Sequence, residues 1–518
     1  MEAIRIENLK SLKDTGQIPL KSMNILLGPN NSGKSTFLRV FPLLKQSIEV
    51  RTKGPILWYG DYVDFGNYAT DVHKGASEIV FHFDVIIKGS KRKILYYYNR
   101  TPNFVEDKNI HIKTCIKENN DTTYINKLIL SFDDQIIDIG FTAKGKVATL
   151  KVNESNFNSY CDNLRTINTI GLFPRIRELL KSEEPIDVFG SHYRQGILFF
   201  NQFYKLLKSK NRKNTSDNTI RRLLIKLGIG SKNEVLKNIF DNTISLKYLQ
   251  KQIANWNTFD KDFIDFNDLL IATRISSILD YIEHYIVNSI MNFSYVAPLR
   301  ATAQRYYRRQ DLAISEVDFQ GQNLAMFIDN MSTKILENFQ SWVSEHFGFY
   351  PYTKSSEGHI SLRIIDSISK EDYNIADRGF GYSQILPVIT LLWSVVTSEN
   401  KIFRRDRIEI NSKILAIEQP ELHLHPKLQA QLTHAFLAAI KLAKKRGIIL
   451  KLIIETHSQT IVNTLGHEIA EKNFSPEDAS IVLFENNQSK SCCSVNLVHY
   501  NKEGYLENWP IGFFEPQN

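Results

Sequence analysis

Eight residues constrain this chain more than any others: Gly28-Pro29-Asn30-Asn31-Ser32-Gly33-Lys34-Ser35. They fit G-x-x-x-x-G-K-[ST]. The glycines let the backbone curl until its N–H groups face a phosphate, and a helix that follows points its positive end at the same place. Lys34 is then placed to reach the outer phosphates, and the Ser35 hydroxyl suits Mg²⁺. Asn30, Asn31, Ser32, Gly33 and Thr36 complete the expected nucleotide contact. A glycine turn with no ligand is the competing reading, and the flanks argue against it. An apolar strand, Met23–Leu27, precedes the loop. Thr36–Glu49 follows with Phe37, Leu38, Phe41 and Leu44 on one helical face.

Three later segments have the chemistry that such a loop needs. Ile414-Leu415-Ala416-Ile417-Glu418-Gln419-Pro420-Glu421 is an apolar strand ending in a carboxylate, the form of a Walker B element. Glu418 is the expected metal ligand, together with Ser35. Ile453-Ile454-Glu455-Thr456-His457-Ser458 is a second apolar strand with a polar end. His457 is read there as a residue that touches the γ-phosphate; a satisfied structural histidine is the plainer alternative. Asp377-Arg378-Gly379-Phe380-Gly381-Tyr382-Ser383-Gln384 opens an apolar helix, and two glycines, a serine and a helix N-terminus suit an anion. A tight turn capping a core helix reads equally well from those residues alone.

The 518 residues are enough for two or three packed units. Short β-type runs follow the loop at Glu78–Ile87, Lys93–Tyr98, Lys127–Phe132 and Val147–Val152, and predict an antiparallel sheet. From about 153 to 295 helical stripes dominate, as at Ile220, Leu223, Leu224 and Leu227, and at Ile275, Ile278, Leu279, Ile282 and Ile286. Beyond 296 the chain returns to a β-α-β pattern with a helix over Leu428–Ala443, which predicts a parallel sheet. The expected division is an N-lobe over 1–152, a helical insertion over 153–295 and a C-lobe over 296–518, all in an α/β chain.

Composition excludes some classes. Four cysteines cannot make a dense disulfide framework, so a reduced, cytoplasmic chain is expected. No run of about 18 apolar residues stands out, and no membrane span is expected. The net charge of +8 permits a polyanionic partner without demanding one. Lys205, Lys208, Lys210, Arg212, Lys213, Arg221 and Arg222 crowd one stretch. A nucleic-acid footprint and a solvated basic surface both fit it.

The order of these motifs resembles the ABC-type ATPases of the SMC and OLD group. IRIENLKSLKD…MNILLGPNNSGKST is similar to the opening of that group, and GFGYSQILPV, LAIEQPELHLHPKLQ and IIETHSQTIV are similar to its later motifs. The resemblance covers roughly residues 1–90 and 296–518. It implies a two-lobed P-loop ATPase head with an antiparallel β subdomain and a helical insertion. It implies Mg-ATP held between two copies, head to head. Gly379, Gly381 and Ser383 then become the signature that reaches a partner's nucleotide. His423, Leu424, His425 and Pro426 take the D-loop place, and His457 becomes the switch histidine. With no further ligand cluster near His423 and His425, zinc is not expected. EQPELHLHP and the ending ENWPIGFFEPQ resemble more narrowly the stand-alone, PtuA-type ATPases of Septu and retron-associated anti-phage systems, which work with a separate HNH nuclease. A repair or processing ATPase of the SMC or OLD type is the alternative function.

One departure affects catalysis. Where that group places a second carboxylate after the Walker B acid, this chain has Gln419. An amide takes no proton from water, and losing a positioned base typically costs about 10²–10⁴ in rate. Either hydrolysis is slow or Glu421 serves as the base. Gln46 is the candidate for the Q-loop glutamine.

Overall fold

The computed structural model describes residues 1–89, 102–178, 197–212, 214–310, 314, 316–398, 411–487 and 492–510. The expected strand Lys93–Tyr98 lies outside them. The chain packs as two units, and it enters each of them more than once.

One unit holds Lys10–Gln46, Gly60–Asp64 and Asn288–Asn518. Its centre is a sheet of β1 (Met23–Leu27), β2 (Phe293–Val296), β3 (Ser412–Glu418), β4 (Ile449–Glu455), β5 (Ala479–Asn487), β6 (Cys492–Tyr500) and β7 (Leu506–Glu507), in the order β2-β3-β4-β1-β5-β6-β7. The first five are parallel to one another, and β6 and β7 add antiparallel at one edge. Every residue of β1, β3 and β2 is buried, as expected of parallel strands covered on both faces. The covering helices are α1 (Lys34–Glu49), α2 (Phe380–Thr397), α3 (Pro426–Lys445) and α4 (Gln459–Ala470). Ile25, Leu415, Leu452 and Ile481 from the sheet pack in one core with Leu386, Leu432 and Leu465 from the helices.

Helix α2 is buried over most of its length. Among the described residues it is the one helix long and apolar enough to cross a membrane. It lies in this core with 72% of its length buried, and its apolar all-round surface fits a core helix.

The other unit holds Met1–Leu9, Ser47–Tyr59 and Phe65–Val287. Its strands Ala3–Leu9, Ile79–Ile87, Lys108–Asn119, Thr122–Phe132, Gln135–Phe141, Val147–Val152 and Ser155–Asn156 pair in that order, each antiparallel to the next. A hairpin, Leu164–Ile170 with Phe173–Glu178, precedes the helices in a region expected to be helical. Its apolar alternation is interrupted by Arg175 and Arg177. Arg177 pairs with Asp280 at 2.7 Å and Arg175 with Glu283, both acids standing on the helix Ile275–Met291. Inward positions filled by ion pairs leave no period-2 apolar signal to read. Six helices follow between Ile197 and Met291, and the Ile220 and Ile275 stripes are buried as expected.

Candidate nucleotide site

The loop between β1 and α1 depends on its glycines. Gly28 has φ +151, and a Cβ there would lie 2.2 Å from the Phe484 carbonyl oxygen. Gly33 has φ +95, and a Cβ would lie 2.6 Å from Leu12 Cδ2. No side chain fits either place. Asn31 takes the left-handed conformation at φ 61, which asparagine tolerates. Asn30 and Asn31 are exposed, Ser35 and Thr36 half-buried, and Ser32 buried with its hydroxyl unbonded. Lys34 is 3% exposed. Its ammonium donates to the carbonyls of Gly28 at 2.9 Å and Pro29 at 2.8 Å. Burial lowers its pKa, while Glu455 and Glu421 pull the other way.

Register places the strand tips in a row. Glu418 lies opposite Glu455, and Glu455 opposite Leu26. The Ser35 hydroxyl donates to Glu455 Oε1 at 2.7 Å. Glu455 Oε2 is buried and unbonded. Burial, and then the charge of Glu418, pushes the Glu455 carboxyl up to about 7. Glu418, the acid expected beside Ser35, is engaged elsewhere in this conformation. Its Oε1 accepts from Arg39 Nε at 2.8 Å and Tyr295 Oη at 2.6 Å, and its Oε2 accepts from Arg39 at 2.8 Å. That hydrogen bond holds the Arg39 guanidinium above its ordinary range, and burial raises the Tyr295 hydroxyl.

The sequence reading missed Glu455, although the signal was the same apolar strand ending in an acid that selected Glu418. It also missed Arg300, which lies in no periodic segment. Arg300 donates to the carbonyls of Glu418 at 2.8 Å and Gln419 at 3.3 Å. Its Nε and second terminal nitrogen are buried and unbonded. Burial pushes its pKa down to about 10.

Gln419 has φ 42, a strained value for a residue other than glycine. Its N–H donates to the Glu455 carbonyl at 2.8 Å. Glu421 Oε1 accepts the His457 N–H at 2.7 Å, and its Oε2 is buried and unbonded. Burial raises the Glu421 pKa. Burial and then the charge of Lys34 lower that of His457. Lys34, Ser35, Glu418, Glu421, Glu455 and His457 therefore form one electrostatic group.

The signature residues form a second group. Gly379 is the N-cap of α2 and is exposed, as is Phe380. Ser383 is buried, with its hydroxyl donating back to the Phe380 carbonyl at 2.8 Å. The Phe380 ring lies 5.8 Å from that of His423, whose φ is 61. Leu424 is buried, His425 Nδ1 accepts the Lys427 N–H as the cap of α3, and Pro426 is its first residue. Gln46, the Q-loop candidate, uses its amide on the backbone of a neighbouring loop. It is buried, and its amide bonds both the N–H and the C=O of Val63 at 3.1 and 3.2 Å.

The sequence profile described as AAA ATPase domain matches residues 1–462. The chain belongs to the AAA ATPase domain family. This AAA ATPase therefore carries a nucleotide-binding domain, and its α/β sheet with a phosphate loop at a strand tip is that of a P-loop ATPase. No curated protein matches it. Among solved structures it is similar, at 9% identity, to an SMC head bound to the C-terminal winged-helix domain of ScpA, with a TM-score of 0.35 and coverage of 97% of this chain and 98% of that one. It is also similar, at 9% identity, to the SMC head of Thermotoga maritima, with a TM-score of 0.32 and coverage of 96% and 97%.

Proposed function

We propose that this AAA ATPase binds Mg-ATP at Gly28–Ser35 and that two copies close on the nucleotide, each giving its loop to one ATP and its Gly379–Ser383 segment to the other. The observation that carries the reading is Glu455 Oε2, a buried carboxylate oxygen without a partner beside the Ser35 hydroxyl. Hard oxygen donors at that spacing fit Mg²⁺. Ser35 and Glu455 would hold the ion, with Glu418 behind them on Arg39. When bound, Mg²⁺ neutralises charge at the transferred phosphate. Lys34 leaves the Gly28 and Pro29 carbonyls for the β- and γ-phosphates. Glu421 takes the proton of the attacking water, and Gln419 and His457 position that water and the γ-phosphate. Lys34→Ala tests the site by calorimetry at matched folding: ATP binding is lost or severely weakened, and wild-type affinity in the variant refutes the reading.

The same closure suits a nucleotide-controlled scaffold for an effector nuclease of HNH type in anti-phage defence. Support for that step is the resemblance of EQPELHLHP and ENWPIGFFEPQ to the ATPases of such systems. Co-expression with an HNH nuclease encoded beside this chain tests it: a nucleotide-dependent complex is expected, and its absence with and without ATP overturns the assignment.

A further inference from the structure

The positive charge of this protein is concentrated in one place. Residues 197–259 hold twelve Lys and Arg against three Asp and Glu, so this stretch alone carries +9. The whole chain carries +8, which leaves −1 for all the rest. The stretch forms four helices, Ile197–Ser209, Asp217–Lys226, Lys232–Asn242 and Lys247–Ile253. Their apolar faces are spent on the core: Phe203, Leu207, Ile220, Leu224, Val235, Ile239, Leu249 and Ile253 are all buried. The charge is consequently on the other side. Lys205, Arg212, Arg222, Lys226, Lys247 and Lys251 are exposed.

The three acids do little to cancel it. Asp217 pairs with Lys208. Glu234 pairs with Lys108, a cation from outside the stretch. Aromatic rings are interleaved with the cations. Arg212 lies over the Tyr248 ring at 5.8 Å and Arg221 over the half-buried Tyr204 ring at 5.7 Å, while Lys210 is paired with Asp262, an acid from outside the stretch, at 2.6 Å. Tyr248 is 41% exposed, and Phe259, at the end of the stretch, is 89% exposed.

We infer that this helical face binds single-stranded nucleic acid. A solvated surface needs no such excess of one sign, because mixed charge keeps a protein soluble. A phosphodiester backbone is the polyanion that repays it, through counterion release. Rings beside cations add platforms on which unpaired bases stack, and a duplex hides its bases from them. This inference is independent of the nucleotide site.

The test is fluorescence anisotropy of the full chain with labelled 20-residue oligo-dT, oligo-U and a 20-base-pair duplex, from low to moderate salt. Binding to a single strand is expected, with log affinity falling linearly against log salt. Arg212→Ala and Arg222→Ala should each lower that slope by about 1. Tyr248→Ala should weaken single-strand binding about 5-fold or more, in line with the loss of one stacked base. A charge-reversed variant, Lys205→Glu with Arg222→Glu, should lose binding while keeping the wild-type melting temperature and ATP affinity. The single-residue alanine changes stand in for it where it fails to fold. No single-strand binding by the wild type at low salt overturns the inference, as do unchanged slopes in the alanine variants. Tighter binding to the duplex, or equal competition by polyglutamate, also overturns it.

Discussion

The Ser35 hydroxyl donates a 2.7 Å hydrogen bond to Glu455, not to Glu418. Two acid-tipped strands stand side by side, and the one adjoining β1 supplies the carboxylate that meets the phosphate loop. The other acid is held by Arg39 and Tyr295. Glu455→Gln should therefore lower Mg²⁺-dependent ATP affinity by at least about 10-fold, the scale of losing a metal's supporting partner. Affinity in EDTA should change little. Calorimetry with and without Mg²⁺ reads both. A loss of the same size in EDTA would assign Glu455 to folding of the loop instead.

Turnover tests the strand tip beyond Glu418. Gln419 cannot take a proton. Glu421 can, because burial raises its pKa and one of its oxygens is unbonded beside the His457 backbone. Two outcomes are distinct. If Glu421 is the base, Glu421→Gln stops single-turnover hydrolysis and Gln419→Glu changes it little. If Gln419 only positions water and no base exists, Gln419→Glu raises the rate about 10-fold or more. A fast wild-type rate that survives Glu421→Gln sinks both.

The legible parts of this molecule were those with a motif or a period. The phosphate loop, β1, α1, the two strands with polar tips and the Gly/Ser segment that opens α2 could be placed from the residues, because glycine spacing and apolar runs are local signals. Glu455 was readable and passed over, since the neighbouring Thr-His-Ser drew the interpretation. Arg300 was not readable. Its role comes from folding a loop residue back onto the carbonyls of Glu418 and Gln419, more than a hundred residues away. The hairpin at Leu164–Glu178 was hidden by two half-buried arginines, whose buried partners Asp280 and Glu283 lie on a distant helix.

Arg300 gives its own prediction. A buried guanidinium with two unbonded nitrogens is costly unless it acquires an anion. Arg300→Lys keeps one charge and loses the fork. It should slow hydrolysis by about 10-fold or more while ATP affinity in the monomer stays within a few-fold. Binding and single-turnover measurements separate the two. An equal fall in both would make Arg300 a brace for β3.

Acid should weaken the β-rich unit through His82. This ring is 3% exposed, with Nε2 2.8 Å from Glu7 and Nδ1 3.0 Å from His111. Burial lowers its pKa to about 4, against the pull of Glu7, and His111 and Arg5 lower it further. The folded value lies below the unfolded one of about 6.5. The unfolded chain therefore binds the extra proton first, and stability is lost as pH falls from 6.5 towards 4. The slope contributed by this ring is at most about 1.4 kcal/mol per pH unit. Urea unfolding of wild type and His82→Gln between pH 7.5 and 5 reads it. Parallel pH profiles would show that His82 contributes nothing.

The head-to-head reading is most exposed at Gly381. A Cβ there meets the His423 carbonyl at 3.5 Å and Leu424 Cδ2 at 3.8 Å, which is ordinary contact. The position has no left-handed backbone to protect, so the fold accepts a side chain. Bulk there is obstructive only if a second copy brings its nucleotide against the start of α2. Gly381→Arg should thus keep the ATP affinity and melting temperature of the monomer and lose ATP-dependent dimerisation. Gly381→Ala, with a methyl group alone, should retain most of the dimer. Sedimentation velocity with and without ATP, in an Mg²⁺ buffer and on a background of slowed hydrolysis, distinguishes these states. If Gly381→Arg still dimerises with ATP, the segment Gly379–Ser383 does not face a partner's nucleotide, and the exposed Phe380 beside His423 is only the capped end of a core helix.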